Sequence, residues 1–505
     1  MTLVLVLAIL FFTAIAVLRL DIAVFFIIAL LPSYLLRFTI LQIPMTFLEI
    51  MILISFLIWF VRTTRGKVVT WFKDRKKRQP YPFALEIIII LLSAFIAVIV
   101  TNFKNPDLSL AALGIFKAYF FEPMLLFILI LNVLQGKSGR KKIVWALATS
   151  CVIVILPALF QQLTGWFIFN EFWANPEQRR VVSWFGYPNA VGLFLAPIIM
   201  VLIGYLVGQI AKINSFRKNE KQEKNVSVKK DKKIQSGALV KKISEKKLAI
   251  FKILILVLII FASWAAIYFS KSEGALAALA LAIFIFFLLV NRKTQIITLL
   301  FGIIALSTII LTPNLKTFVL DKIWLKDLSG EIRKQQWRET LKTLKGTNFI
   351  TGNGLAGYQT AVLPYHQEGI FFNRDKLENF DSLLHNSAHL REKYWQPVEI
   401  YLYPHNIFLN FWSELGILGA LIFDWLIVKY LIISLGLFLF NKKIKQNSVN
   451  RYLALGLFSA MIVILVHGLV DVPFFKNDLA ALFFILLALL GSLMVESRRL
   501  KSRKL

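Results

Sequence analysis

The stretch "YPHNIFLNFWSELGILGALIF", residues 403–423, joins an apolar run that is long enough to enter a bilayer to a polar beginning. Pro404, His405 and Asn406 precede the apolar residues, and Glu414 lies about two helical turns further on. Lipid-facing helices rarely contain such residues, because a polar group without a partner is costly in hydrocarbon. We therefore expect a membrane span that begins above the bilayer, where its polar residues face something other than lipid.

The composition of the whole chain is typical of a polytopic membrane protein. Of its 505 residues, 58% are hydrophobic and only 17% are charged, and the mean hydropathy is +0.70. We predict an all-α fold with about 12–13 transmembrane helices and one large, partly helical outer loop. Residues 1–43 form either two crossings or one crossing and a re-entrant hairpin broken at Pro32 and Pro44. The predicted spans are residues 2–19, 22–40, 44–62, 82–101, 114–134, 142–162, 186–210, 248–269, 274–291, 294–312, 405–440, 452–470 and 475–495.

The positions of the basic residues explain the net charge of +30 and predict the orientation. They cluster between spans, and alternation through the spans puts every cluster on one side, which the positive-inside rule identifies as the cytoplasm. This distribution argues against nucleic-acid binding. The longest cluster, residues 212–247, holds 13 Lys/Arg against 4 Asp/Glu and is predicted to be mostly disordered. The other clusters are residues 62–79, 136–142, 291–293, 441–445 and 496–504.

The opposite side carries the segments of more varied composition. We divide the chain into N-terminal spans (1–162), central spans (163–312), a large outer loop (313–403) and C-terminal spans with a basic tail (404–505). The outer loop contains 12 Lys/Arg and 10 Asp/Glu and is rich in aromatic residues. All five histidines lie on this side or at its edge, so we expect any chemistry there. Cys151, the single cysteine, excludes an intramolecular disulfide.

The motif "RVVSWFGYPNAVGLFLAP", residues 180–197, places a cation beside a span. Pro188 and Asn189 mark the beginning of the helix, and Arg180 precedes it. A guanidinium at the membrane surface can bind phosphate through two parallel hydrogen bonds. The alternative is an interfacial arginine that reaches lipid headgroups.

A second cationic motif is "SKSEGALAAL", residues 270–279. Lys271 is a candidate anion ligand, and Glu273 is its candidate partner. The alternative is a plain helix start with an acidic residue in the first turn and small residues for close packing.

The outer loop contains an amphipathic pattern that is followed by glycines. In residues 331–362, Arg333 and Trp337 fall at helical spacing, which predicts an amphipathic helix near the membrane. The stretch "GNGLAG", which includes Gly352 and Gly354, comes next. We interpret it as a tight turn rather than a phosphate loop, because it follows a helix and lacks GK[ST].

His405 is the histidine best placed to act as a general base. Pro404 fixes the backbone before it, Asn406 follows it, and Glu414 and Asp471 are candidate carboxylate partners for one ring nitrogen. The other nitrogen is then free to accept a proton. The alternative is a helix cap or an interfacial group.

Two other catalytic patterns are weaker. The stretch "HNSAH", residues 385–389, spaces two histidines at i and i+4 but has no glutamate between them, so we do not expect a metal site. The chain has no G-x-S-x-G elbow, which argues against a catalytic serine.

The order and spacing of these motifs resemble those of the O-antigen ligase and O-antigen polymerase family of bacterial membrane glycosyltransferases. The opening stretch is similar to the family pattern P-H-N-x-x-L-x-x-x-x-E-x-G-x-x-G, which is the most specific of the set. The other similar motifs are R-x-x-S-x-F-x-x-P-N from Arg180, R-x-x-x-W from Arg333, "ITGNGLAGY" and "HGLVDVPFFKN".

The resemblance implies transfer of a glycan from a polyprenyl (undecaprenyl) diphosphate carrier to a hydroxyl of a glycan, lipid or protein acceptor. It places the reaction at the outer face of the bacterial cytoplasmic (inner) membrane, with inversion and without a metal or other cofactor. By this resemblance Arg180 and Arg333 bind the diphosphate, His405 accepts the hydroxyl proton and Asp471 orients a basic group. The supporting motif positions are Pro188, Asn189, Trp337, Gly352, Gly354, Pro404, Asn406 and Glu414.

One position departs from the family pattern. Many members have S-R-G where this chain has Ser272-Glu273-Gly274. Lys271 is therefore the candidate for the third cation, although it lacks the two-pronged guanidinium of an arginine.

The resemblance leaves the identity of the acceptor open. The protein is either a ligase, which uses a different acceptor, or a polymerase, which uses another lipid-linked repeat. The alternative of another class is a transporter or flippase of lipid-linked sugars, which predicts ionisable residues near the bilayer midplane.

Overall fold

The computed structural model describes residues 2–40, 43–64, 81–226, 235–441, 444 and 447–502. Within these residues, 11 helices are long and apolar enough to cross a membrane. Two shorter apolar helices precede them, and the four strands have only three or four residues each. The prediction of an all-α polytopic membrane protein is therefore confirmed.

The elements are numbered here in chain order. The helices are α1 (Thr2–Leu18), α2 (Leu20–Ala29), α3 (Phe47–Thr64), α4 (Ala84–Lys104), α5 (Ser109–Ile115), α6 (Glu122–Val133), α7 (Gly136–Thr164), α8 (Glu171–Ala174), α9 (Asn189–Val226), α10 (Gln235–Ser270), α11 (Glu273–Val290), α12 (Arg292–Leu311), α13 (Pro313–Ile323), α14 (Leu328–Thr343), α15 (Thr347–Thr351), α16 (Tyr358–Val362), α17 (Phe380–Asn386), α18 (Ala388–Tyr394), α19 (Ile407–Leu439), α20 (Ser448–His467) and α21 (Asn477–Ser502). The strands are β1 (Arg37–Ile40), β2 (Ile43–Thr46), β3 (Gly369–Phe371) and β4 (Trp395–Pro397). A π-helical segment, Phe116–Phe121, joins α5 to α6.

The predicted span at residues 22–40 is α-helical over only the first part of its length. Helix α2 ends at Ala29, and a 3₁₀ helix with Pro32 in its first turn follows. Proline cannot donate the backbone hydrogen bond that would continue the α-helix, so the chain turns here. Strands β1 and β2 then form an antiparallel hairpin that pairs Arg37 with Thr46. Because the segment begins beside Lys142 at one end of the bundle and the hairpin lies at the other end, it follows the two-crossing alternative.

The centre of the bundle consists of α9, α20 and α21. These spans are mostly buried by other helices, whereas α12 has no buried residue along its apolar stretch and is available to lipid. A side-chain carbon on Gly204 of α9 would lie 2.6 Å from the Cα of Gly456 on α20. The two helices therefore approach closely because both positions lack a side chain.

The prediction that residues 212–247 are mostly disordered is wrong for most of the segment. Helix α9 continues to Val226 and α10 begins at Gln235, since lysine, glutamate and glutamine favour helix. Residues 227–234 lie outside the described residues, as do residues 65–80 of the basic cluster after α3.

The two ends of the bundle differ in their contacts. At one end, basic residues between spans pair with acidic residues, as Arg140 does with Glu496 and Lys142 with Asp21. At the other end lie the β1–β2 hairpin, the outer loop and the turn between α20 and α21. We call this second end the loop face.

Candidate active site

The site is built around the turn between α20 and α21, residues 468–476. Asp471 in this turn is buried, with only 2% of its surface exposed. Its Oδ1 accepts a hydrogen bond from the backbone N–H of Val472 at 2.8 Å, and its Oδ2 accepts one from the side-chain amide of Asn189 at 3.3 Å. Since α9 begins at Asn189, the start of that helix is tied to the turn.

Arg180 lies on the other side of Asn189. Its Nε donates to the carbonyl of Ser270 at 3.0 Å, and its Nη2 donates to Asn189 Oδ1 at 3.2 Å and to the carbonyl of Lys271 at 3.3 Å. These contacts fix the guanidinium plane and leave the Nη1 donors without a partner among the described residues. Burial lowers the pKa of Arg180, but an arginine stays charged at neutral pH. Arg180, Asn189 and Asp471 thus form one hydrogen-bonded chain.

Arg333 reaches the same turn from the outer loop. The predicted amphipathic segment is the helix α14, and Arg333 Nε donates to the carbonyl of Val470 at 2.9 Å. Its Nη1 donates to the hydroxyl of Ser329 at 2.7 Å, which leaves Nη2 without a partner in the described part of the chain. One turn later, Trp337 Nε1 donates to the carbonyl of Pro404 at 2.9 Å. The R-x-x-x-W spacing therefore docks α14 both on the turn and on the beginning of α19.

His405 sits in a constrained backbone position just before α19. Its φ of +46° is in the left-handed region, which is unfavourable for a residue with a side chain. Asn406 caps α19, because its Oδ1 accepts hydrogen bonds from the N–H groups of Phe408 and Leu409, both at 3.0 Å. Its Nδ2 donates to the carbonyl of Leu469 at 3.1 Å. The cap and the turn together hold His405 at the loop face.

The imidazole of His405 is oriented by an amide and two aromatic rings. Its Nδ1 lies 3.0 Å from Oε1 of Gln336, and the rings of Tyr401 and Tyr403 pack edge-on at 4.9 and 5.6 Å between centroids. With Oε1 of Gln336 as the acceptor, Nδ1 donates this hydrogen bond, and Nε2 of the neutral ring keeps a free lone pair. The predicted carboxylate partner is wrong, because Gln336 holds the ring.

The charges around His405 show that the predicted residues meet. Burial lowers the pKa of His405 below its ordinary value of 6.5; the nearby negative charge of Asp471 opposes this shift and the positive charge of Arg333 adds to it. The ring is therefore neutral near pH 7, as a base must be. The turn of residues 468–476 brings together four predicted residues from separate segments of the chain, namely Arg180, Arg333, His405 and Asp471.

A comparison with known protein families finds a match over part of the chain. The O-antigen ligase family model matches residues 255–423, which run from α10 through the outer loop into α19. This part of the chain is therefore similar to the O-antigen ligase family. No curated protein matches the chain. The matched segment contains Arg333 and His405, whereas Arg180 and Asp471 lie outside it and join the site through the contacts described above.

Glu273, which stands where the family's S-R-G pattern has an arginine, has a different partner than predicted. Glu273 forms an ion pair with Lys322 of α13 at 2.5 Å, and Lys322 also binds Asp327 at 2.8 Å. The predicted pairing of Lys271 with Glu273 is therefore wrong. Lys271 adopts a φ of +51° so that its carbonyl faces Arg180, and its ammonium has no partner among the described residues.

The glycine motif, residues 352–357, is a packed turn. Glu414 of α19 accepts a hydrogen bond from the backbone N–H of Ala356 at 2.9 Å, and Lys104 of α4 donates to the carbonyl of Gly352 at 2.8 Å. A side-chain carbon on Gly354 would lie 2.8 Å from the backbone nitrogen of Thr101. The polar groups of "GNGLAG" thus bind other parts of the protein, which favours the turn interpretation over a phosphate loop.

Two residues of the site carry little signal in the sequence. Gln336 follows Arg333 by three positions and precedes a tryptophan, and glutamine at an amphipathic helix surface predicts no particular role. Lys476 is recognisable only as a cation in an outer turn. Its Nζ lies 4.2 Å from the ring centre of Phe185 and 5.2 Å from that of Tyr187, and Asp478 is 3.8 Å away. Burial lowers the pKa of Lys476.

The remaining histidines of the outer loop have other surroundings. His385 and His389 lie on different helices, since α17 ends at Asn386 and α18 begins at Ala388. His366 contacts the carboxylate of Glu339 at 3.3 Å. Among the described residues, no group of three or more His, Cys, Asp and Glu is arranged to hold a metal ion.

Proposed function

We propose that this O-antigen ligase family member transfers a glycan from a lipid diphosphate carrier to an acceptor hydroxyl. The observation that carries the proposal is the meeting of two arginines with free N–H donors and one neutral histidine around the turn of Asp471. A diphosphate leaving group needs cations, and an attacking hydroxyl needs a base. The site offers both at the ends of membrane spans, where a lipid anchor holds its headgroup.

Arg180 and Arg333 bind the diphosphate in this proposal. Each guanidinium is already oriented by backbone carbonyl groups, and each keeps one terminal amino group without a partner among the described residues. Such fixed donors stabilise the negative charge that develops as the diphosphate leaves, because they need no reorganisation during the reaction. The carbonyl of Lys271 accepts a hydrogen bond from Arg180, and the ammonium of Lys271 is the third cation of the proposed site.

His405 acts as the general base. Its Nε2 takes the proton of the acceptor hydroxyl while the hydroxyl oxygen forms a bond to the anomeric carbon of the donor. The bond between that carbon and the diphosphate oxygen breaks, and the diphosphate leaves with the electron pair. Attack from the face opposite the leaving group inverts the anomeric configuration. Asp471 favours the imidazolium that forms, since its charge raises the pKa of His405.

We place the reaction at the extracytoplasmic face of a bacterial cytoplasmic membrane. The loop face carries the site, and the ion pairs of Arg140 and Lys142 lie at the opposite end of the bundle, which the sequence predicts to be the basic end. The positive-inside rule assigns that opposite end to the cytoplasm. A donor on the outer leaflet then reaches Arg180 without crossing the bilayer.

The experiment is a transfer assay with full-length protein in liposomes and a polyprenyl-diphosphate oligosaccharide. Product size and attachment are read by gel electrophoresis and mass spectrometry, and wild type is compared with His405→Ala. We expect loss of a general base to reduce transfer by about 10²–10⁴-fold. A ladder that stays on the lipid identifies a polymerase, whereas transfer only to an added acceptor identifies a ligase.

The control is His385→Ala, which removes an imidazole from the outer loop but not from the site. It should transfer glycan at the wild-type rate, and both variants should unfold at the wild-type temperature. Equal rates for wild type and His405→Ala would remove His405 as the base. No transfer by wild type with any lipid diphosphate donor would remove the proposed function.

A further inference from the structure

A second polar cavity opens at the loop face, on the N-terminal side of the molecule. Its volume is about 490 Å³, and it lies between the β1–β2 hairpin, the beginning of α3, the π-helical segment and the first residue of α21. This size is in the range of small-molecule sites. Its polar lining includes Arg37, Thr46, Glu49, Lys117, Tyr119 and Asn477.

The charges in this cavity leave one cation unpaired. Glu49 has its Oε2 bound by the N–H of Thr46 at 2.9 Å and by Lys117 Nζ at 3.2 Å, and its Oε1 bound by Asn477 at 3.2 Å. Glu49 and Lys117 therefore neutralise each other. Arg37 is exposed, and its guanidinium makes no hydrogen bond or ion pair with any described residue. A guanidinium in an otherwise neutral cavity favours an anion, and phosphate oxygens match its fork.

The cavity and the active site share the turn between α20 and α21. Asp471 lies near the beginning of this turn, and Asn477, directly after its end, lines the cavity. Tyr119 of the cavity wall packs edge-on against Phe475 of the turn, at 6.2 Å between ring centroids. A ligand in the cavity therefore lies next to the turn that carries the reacting groups.

We propose that this cavity binds the second substrate, through a phosphate or diphosphate on a lipid-linked saccharide. The proposal rests on the glycan transfer proposed above and makes the acceptor an anionic lipid, as a polymerase requires. Arg37 binds the phosphate, and Phe38 and Ile115 line the cavity beside it, where apolar contact suits a lipid stem. Arg180 and Arg333 remain available for the donor, so the two diphosphates occupy separate cationic sites.

The test separates the two substrates chemically. A donor with its terminal hydroxyl blocked can only donate, and an acceptor joined to its diphosphate by a carbon–phosphorus bond can only accept. Initial rates are measured in phosphatidylcholine liposomes for wild type, Arg37→Gln and the control Arg391→Gln, which changes an exposed arginine elsewhere in the outer loop. We expect Arg37→Gln to raise the KM for the acceptor about tenfold or more, with the KM for the donor unchanged. An unchanged acceptor KM overturns the proposal.

A binding measurement keeps the site testable without catalysis. A photoreactive polyprenyl diphosphate is crosslinked to the His405→Ala protein, and the labelled peptides are mapped by mass spectrometry. We expect labelling within residues 37–49 or 106–121 that is lost when Arg37→Gln is added. Equal competition by phosphatidylglycerol would show a site for bulk anionic lipid and overturn the proposal. Labelling without any transfer by wild type would remove the proposed function but support an anionic lipid in this cavity.

Discussion

The surroundings of His405 and those of Glu414 differ, although both residues belong to the same stretch of sequence. Around His405, the imidazole Nε2 and one terminal amino group of each arginine, Nη1 of Arg180 and Nη2 of Arg333, have no protein partner among the described residues. Around Glu414, the carboxylate binds the backbone of Ala356, and the neighbouring turn is held by other elements. One cluster is open to a ligand, and the other is closed by the protein itself.

Under the proposed function, this difference separates the residues that contact substrate from the residues that position them. Gly416 interrupts α19 with a φ of +75°. Beside this kink, the backbone N–H of Asn353 donates to the carbonyl of Ser413 at 2.6 Å. The closed cluster thus shapes the beginning of α19, and this shape sets where His405 stands. Changes in the open cluster should remove activity without unfolding the protein, and changes in the closed cluster should lower the stability of the protein first.

The largest effect on the open cluster, beyond loss of the base itself, is expected from the arginines. The substitution Arg333→Lys keeps the positive charge. It removes the paired N–H donors of the guanidinium and the hydrogen bond from Nε to the carbonyl of Val470. We expect the transfer rate to fall about 100-fold, because a fixed donor to the leaving group is lost. The rate is measured at saturating donor, and the unfolding temperature is measured in the same detergent.

Arg338→Lys is the matched control for this change. Arg338 is an exposed arginine on the same helix, so the substitution alters α14 equally but not the site. It should leave the rate unchanged. If both variants lost activity to the same extent, the loss would come from the helix and not from the guanidinium at the turn.

The next effect is expected in the closed cluster. Glu414→Ala leaves the partly buried N–H of Ala356 without its acceptor, which should lower the free energy of unfolding by about 1 kcal/mol. Glu414→Gln keeps an oxygen acceptor and should lie close to wild type. Denaturation is followed by the fluorescence of the purified protein. A Glu414→Ala protein with full stability and no activity would move Glu414 into the open cluster.

The sequence was sufficient to predict the elements that follow from a run of similar residues. The apolar runs predicted the long spans, and the spacing of Arg333 and Trp337 predicted α14. The hairpin after α2 was harder, because its residues are as apolar as those of a span and only the two prolines mark it. The last turns of α9 and the first turns of α10 were not predicted. Their high charge is typical of disorder, but their lysine and glutamate residues also favour helix.

The site was predictable in its members but not in its contacts. Arg180, Arg333 and His405 were identified by their motifs, each of which is local in sequence. The partners of these residues come from distant segments, as Gln336 does for His405 and Lys322 does for Glu273. A single sequence does not specify which carbonyl or amide lies opposite a side chain, because this depends on how the spans pack.

The smallest effect expected is a shift in the pH dependence of transfer. His405 must be neutral to accept a proton, so the rate should rise with pH as the imidazole loses its proton. Burial lowers the pKa of His405, which places this rise below pH 6.5. The kcat/KM for the donor is measured, because it reports the pKa of the ligand-free site, from about pH 4.5 to about pH 8, a range that brackets the titration of a histidine.

The two charges beside His405 give this prediction a sign that can be tested. Asp471 raises the pKa of His405, so Asp471→Asn should move the rise to lower pH. Arg333 lowers that pKa. In Arg333→Gln, the rise of the residual activity with pH should therefore occur at a higher pH than in wild type. Shifts in these opposite directions would be hard to obtain from general damage to the fold, which changes the height of the profile rather than its midpoint. Identical midpoints in all three proteins would mean that the titrating group is not His405, and the open cluster would lose its base.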